Sequence, residues 1–232
     1  MVTVMDTASD FRILVAEDAL TKLENLINSK RLPIAYEKKK AQERIHRIKS
    51  NLMAIKYSYL SPEQLVSSQI FSEYERSVSE LISLLNLDTK SPMKKDNTQK
   101  FAIAQYKYVI RILTGLKSRI LLGQDNKPEY AIDIVGVKVL TTAKHPQSNK
   151  LKVCKVADLE HSYVIITNME KISKNFSIGV AFLPPVILMG EISEGMFCTD
   201  KIENGLIGKR IPSNLITSKE LFAEIGKMLK KK

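Results

Sequence analysis

Tryptophan is absent from this 232-residue chain, and cysteine, histidine and glycine are scarce, at two, three and nine residues. Two cysteines, Cys154 and Cys198, cannot build a disulfide framework, and their presence as lone thiols fits the reducing cytoplasm. With His46, His145 and His161 they give no metal-ligand spacing, so no metal or other cofactor is expected. His145 precedes a proline in a turn, and neither His46 nor His161 has a base or ligand partner evident in the sequence. No apolar run approaches the roughly 18 residues of a membrane span. The N-terminus also lacks a basic region followed by an apolar core, so no membrane partner is expected. A phosphate-cradling glycine loop, a dinucleotide fingerprint and a nucleophile elbow are missing as well. These absences together point away from an enzyme.

What the chain does have is positive charge: 36 Lys and Arg against 25 Asp and Glu, a net +11. Such a balance favours a polyanionic partner, with nucleic acid first among them. Hydrophobic residues at 44% and charged residues at 26% are ordinary for a folded globular protein.

The hydrophobic period changes along the chain. Up to Leu122 apolar residues recur at spacings of three and four, as in Leu20, Leu23, Ile27 and in Ile45, Ile48, Leu52, Ile55, Tyr59. A third run holds Leu65, Ile70, Tyr74, Val78, Leu81 and Leu85, and a fourth Phe101, Ala104, Tyr108, Ile112 and Leu116. Ser61-Pro62-Glu63-Gln64 supplies a cap, a first-turn proline and a closing glutamine for the third helix. After a polar, proline-containing stretch, Asp88 to Asp96, the fourth helix starts at Asn97 or Thr98. Stripes this wide predict a four-helix bundle over 1–123 whose leucines and tyrosines are core.

The polar stretch 124–130 reads as a linker. Beyond it the period falls to two, with strands at Ile132–Val139, Leu151–Val156, Tyr163–Thr167, Val180–Leu183 and Met196–Thr199. Five short strands between turn residues predict a small closed barrel over 131–212. A basic C-terminal helix is predicted at 213–232, opened by a capping box at Thr217–Glu220 and ended by Lys227 and Lys230–Lys232. The fold class is thus α+β in two domains.

Charge is unevenly spread. Residues 1–125 carry 20 basic and 14 acidic side chains, residues 126–208 nine of each, and residues 209–232 seven against two. Within the neutral β half, Lys138, Lys144, Lys150, Lys152 and Lys155 gather on the first two strands and their hairpin. Alternation there puts Lys150 and Lys152, with Lys155 a further candidate, on the outward side, where each phosphate contact would release a counterion. Lys40, Arg44 and Arg47 share one face of the second helix, as an auxiliary stripe or simply a solvated face. Lys209 and Arg210 open the basic tail and join the auxiliary set.

The run Asp133-Ile134-Val135-Gly136-Val137-Lys138-Val139, followed by His145-Pro146-Gln147-Ser148-Asn149-Lys150-Leu151, resembles the start of the tRNA-binding domain family. That domain occurs in free structure-specific tRNA-binding proteins, methionyl-tRNA synthetases, phenylalanyl-tRNA synthetase β chains and a multisynthetase-complex cytokine precursor. Leu188-Met189-Gly190 and Ser193-Glu194-Gly195-Met196 continue the resemblance, which covers residues 131–208. It implies a five-stranded OB-fold barrel and a tRNA-contacting surface formed by Lys150, Lys152, Ser193 and Met196, with Asn168 added by a looser alignment. Ser193 has a turn-capping role as its alternative, and Met196 a place in the barrel core. Two departures stand out: Ile187 occupies a position that is often basic in the family, and Ser148-Asn149 replaces Ala-Asp.

The function expected from this resemblance is a tRNA-binding protein, with an aminoacyl-tRNA synthetase as partner and a homodimer through the helical domain as a further expectation. A scaffold whose helical half is the working part is one rival. A general single-strand binder is the other, and it is disfavoured by few exposed aromatics in the β half.

Overall fold

The computed structural model describes residues 6–86 and 96–229. It divides into two compact units, one built on residues 1–131 with 228–232 and the other on 132–227. Most of the polar stretch from Asp88 and the terminal Lys230–Lys232 lie outside the described residues.

The first unit is helical. Its elements are α1 (Phe11–Asn28), α2 (Lys38–Lys56), α3 (Pro62–Val66), α4 (Gln69–Leu85), α5 (Asn97–Thr114) and α6 (Leu116–Ile120), followed by a 3-10 turn at Pro128–Ala131. The four predicted runs correspond to α1, α2, α3 with α4, and α5 with the start of α6. The third run is split because Ser68 caps a fresh start, its hydroxyl accepting from the amide of Phe71. The capping box at Ser61 forms as expected, but closes only the five-residue α3. Asp96 caps α5 by accepting from Gln99 at 2.7 Å. Tyr59, read as the end of the second stripe, lies beyond α2 with a positive φ of 50° and is exposed. The rest of that stripe, Ile45, Ile48, Leu52 and Ile55, is buried. Burying such aliphatic side chains stabilises by about 1.5–3 kcal/mol each.

A buried ion pair closes this unit. Arg12 bonds Asp10 through its Nε and Nη2 at 2.8 and 2.6 Å. Its Nη1 donates to the carbonyls of Arg119, Ile120 and Gly123, capping the end of α6 from the start of α1. Asn126, in the stretch read as a linker, accepts from Phe11 N and donates to Ser9 O.

The second unit contains β1 (Ile134–His145), β2 (Ser148–Ala157), β3 (Ser162–Thr167), β4 (Ser177–Ala181), β5 (Val186–Leu188), β6 (Glu191–Ser193) and β7 (Met196–Lys201). A C-terminal helix, α7 (Lys219–Leu229), follows two short 3-10 turns. Five strands form an antiparallel sheet in the order β3-β2-β1-β4-β7, and β5 pairs with β6 in a separate hairpin. No ladder joins β3 to β7 among the described residues. That side is bridged by Glu194, whose amide donates to Val164 O and whose carboxylate accepts from Val164 N, both at 2.9 Å. Val137, Cys154, Val156, Ile165, Val180 and Phe182 form the core of the unit. Gly136 is required where the chain returns, because a Cβ there would stand 2.2 Å from the carbonyl oxygen of Leu206.

Candidate nucleic-acid interface

The long β1–β2 hairpin sets the positions of the lysines. Lys138 pairs with Ala157, but the register shifts between Val139 and Thr141, leaving Leu140 as an extra residue. Such a bulge reverses which side chains face the core. Before it Val137 and Val139 point inward; after it Thr142 stands opposite Cys154 and Lys144 opposite Lys152. Facing partners in an antiparallel pair share a face. Lys138 and Lys155 therefore lie on the outer face, while Lys144 and Lys152 lie on the face of Cys154.

This corrects the expected arrangement of β2. Lys152 is on the core side, partly buried, and its ammonium donates to Glu170 O at 2.6 Å and Ile172 O at 3.5 Å. Lys155 is the residue that faces out, exposed, in register with Thr141 and Val164. Two lysines directly opposite repel, and the carbonyls that hold Lys152 offset that cost while Lys144 extends into solvent. Burial pushes the Cys154 thiol up, against the opposing effects of the Thr142 hydroxyl and the Lys152 charge. Lys144 and Lys150 flank the hairpin tip, both exposed.

The residues nominated by resemblance divide. Asn168 is exposed just after β3, and Met196 is half-buried opposite Ala181. Ser193 is 2% exposed; its hydroxyl accepts from Ile166 N at 3.1 Å and donates to Gly195 O at 3.0 Å. This buried hydroxyl, with its donor and acceptor roles both taken, ties β6 to β3.

Two auxiliary groups are also engaged. Arg210 donates to Ile132 O at 3.0 Å, while Lys209 keeps its side chain exposed. In the helical unit Arg44 and Arg47 meet the same Glu80 oxygen at 2.5 and 3.6 Å, and Lys40 pairs with Glu37 at 2.8 Å. Lys40 and Arg44 line an open groove of about 510 Å³ with Arg76 and Glu80. Much of that stripe is thus neutralised locally.

A feature the sequence shows only as an apolar run lies beside the lysines. The β5–β6 hairpin exposes Val186, Ile187, Leu188 and Met189 in succession. It is held to the β1–β2 tip by His145, which is 4% exposed. The Nδ1 of His145 accepts from Gln147 N, so Nε2 carries the proton and donates to Leu188 O at 3.1 Å. Of the aromatics in the β half, Tyr163, Phe182 and Phe197 are buried, Tyr130 and Phe176 partly so, and Phe222 is exposed.

Exposed Lys144, Lys150 and Lys155 thus give this small antiparallel sheet a cationic rim. Residues 134–214 match the model described as "Putative tRNA binding domain". Residues 4–123 match the model described as "Alpha helical domain", which covers more than half of the chain, and the chain belongs to that family. Among solved structures, it is similar to the "Crystal structure of MetRS related protein from Pyrococcus horikoshii", at 17% identity and a TM-score of 0.33. That match covers 36% of this chain and 92% of the other. No curated protein matches. Among the described residues, no helix is long and apolar enough to cross a membrane.

Proposed function

We propose that this chain is a non-catalytic, cytoplasmic tRNA-binding protein that grips tRNA by shape and backbone. In this reading it serves an aminoacyl-tRNA synthetase in trans, raising the local tRNA concentration by effective molarity. The observation that carries it is the match of residues 134–214 to a tRNA-binding domain, on a sheet whose exposed Lys144, Lys150 and Lys155 are available to phosphates. Lys138, Asn168 and Met196 complete the contact surface, and Lys209 extends it. The helical unit docks on the protein partner or on a second copy of the chain. Scarcity of exposed aromatic rings in the β half disfavours a stacking platform for arbitrary single strands.

Gel-shift titrations with tRNA, single-stranded DNA and duplex DNA at several salt concentrations test this function. The expected result is a clear preference for tRNA with affinity falling steeply as salt rises. Equal affinity for all three rejects it. Co-purification from nuclease-treated extract tests the synthetase role, since a protein contact survives loss of RNA.

A further inference from the structure

The β5–β6 hairpin carries an unusual tip. Leu188 pairs with Glu191, so Met189 and Gly190 are the two-residue loop, with φ values of 47° and 88°. Positive φ at both positions is a tight-hairpin geometry that asparagine and glycine adopt cheaply and methionine does not. Met189 is nonetheless the most exposed of the four apolar residues, at 56%, and Ile187 follows at 50%. An apolar side chain is thus held more than half exposed on strained backbone. Strain of this kind points to a functional contact.

We propose that Ile187 and Met189 form an apolar contact for the face of a nucleobase in the bound tRNA. This inference rests on the tRNA-binding reading and adds a term that the lysines do not supply. The setting favours RNA. His145 fixes the hairpin beside the β1–β2 tip, so the apolar strip lies next to exposed Lys144 and Lys150. An apolar centre with a cationic rim matches a base flanked by its phosphates. Glu191 at the foot of the hairpin is only partly exposed and opposes this rim weakly. A protein partner fits less well, because four half-exposed side chains offer on the order of 300–400 Å², well under the roughly 800 Å² per partner of a stable interface. Methionine's polarizable thioether suits a π surface.

The test uses the full chain, a tRNA transcript and two variants, Met189→Asn and Ile187→Ser. Met189→Asn suits the backbone better, so its folding is retained or improved. Each variant is expected to lose about five- to tenfold in tRNA affinity, corresponding to partial burial of one apolar side chain. The slope of log affinity against log salt is expected to stay unchanged, because no counterion contact is removed. Lys150→Ala, by contrast, is expected to lower that slope by about one. Wild-type affinity in both variants overturns the apolar contact and leaves the tRNA-binding reading standing. A changed sedimentation coefficient with unaltered tRNA binding also overturns it, assigning the strip to a second copy. If the wild-type chain itself binds no tRNA, the parent reading fails and takes this inference with it.

Discussion

His145 bonds the carbonyl oxygen of Leu188 at 3.1 Å, joining two hairpins 43 residues apart in sequence. The ring's other nitrogen accepts the amide of Gln147, so the imidazole is satisfied on both sides as the neutral tautomer. This places the histidine-proline turn in a structural role, aligning the lysine-bearing tip with the apolar hairpin. Replacing His145 with Ala leaves the Gln147 amide and the Leu188 carbonyl without this partner. The expected cost is about 1–3 kcal/mol of stability, with faster amide exchange across residues 186–193. Thermal unfolding and hydrogen exchange check it.

Ser193 leads to a prediction opposite to the one its resemblance suggests. Ser193→Ala removes a buried hydroxyl that serves Ile166 N and Gly195 O. Stability is expected to fall by about 1–3 kcal/mol, while tRNA affinity per folded molecule stays at the wild-type value. Denaturant unfolding and gel shifts on the same preparation separate the two effects, and a large affinity loss with intact stability contradicts this assignment.

The lysines should not act alike. Lys155→Ala removes an exposed outward cation, and its expected signature is a weaker, less salt-dependent tRNA complex, with the slope reduced by about one. Lys152→Ala instead frees the carbonyls of Glu170 and Ile172 and is expected to loosen the loop after β3. Its effect on the salt slope should be smaller than that of Lys155→Ala. Parallel titrations at four or five salt concentrations distinguish them.

In the helical unit the Asp10–Arg12 pair is almost wholly inaccessible, at 1% exposure for each side chain. Asp10→Ala removes the carboxylate paired with a buried guanidinium and also the cap that accepts from Arg12 N. The expected loss is about 3–5 kcal/mol, read as a lower unfolding temperature for helical circular dichroism. Arg12→Ala should do comparable damage by uncapping α6.

Alkaline pH should weaken the β unit through Cys198. Burial pushes its thiol up to about 12, from an ordinary value of 9.0. The unfolded chain therefore sheds this proton above about pH 9, while the folded chain keeps it until about pH 12. The stabilisation is complete below pH 9 and is lost as pH rises through that window. Burial raises the Tyr74 hydroxyl as well and acts in the same direction in the helical unit. Unfolding midpoints between pH 7 and 11 measure the trend, and Cys198→Ala should flatten the part belonging to the β unit.

Much of this fold is legible in the sequence because it follows from local chemistry. The switch from three-and-four spacing to alternation marks where helices give way to strands, and Ser61 and Pro62 announce a helix start. Alternation failed at Lys152 for a local reason too. Leu151 and Val153 are apolar on one parity, Cys154 and Val156 on the other, so the period alone does not say which face is buried. The bulge at Leu140 compounds this by reversing the facing of the strand beside it.

By itself, then, the sequence determined the two-part organisation, the order of helical half, sheet and C-terminal helix, the excess of positive charge and the family resemblance of the β half. Each rests on neighbours within a few residues or on simple composition. Only the tertiary structure decided which nominated groups are free to meet a ligand. Ser193 is consumed by Ile166, 27 residues away, and Arg210 by the carbonyl of Ile132, 78 residues away. Val186–Met189, by contrast, is left uncovered beside the lysines. Buried polar groups take whatever partner the fold brings to them, and a partner that distant in sequence has no local signature.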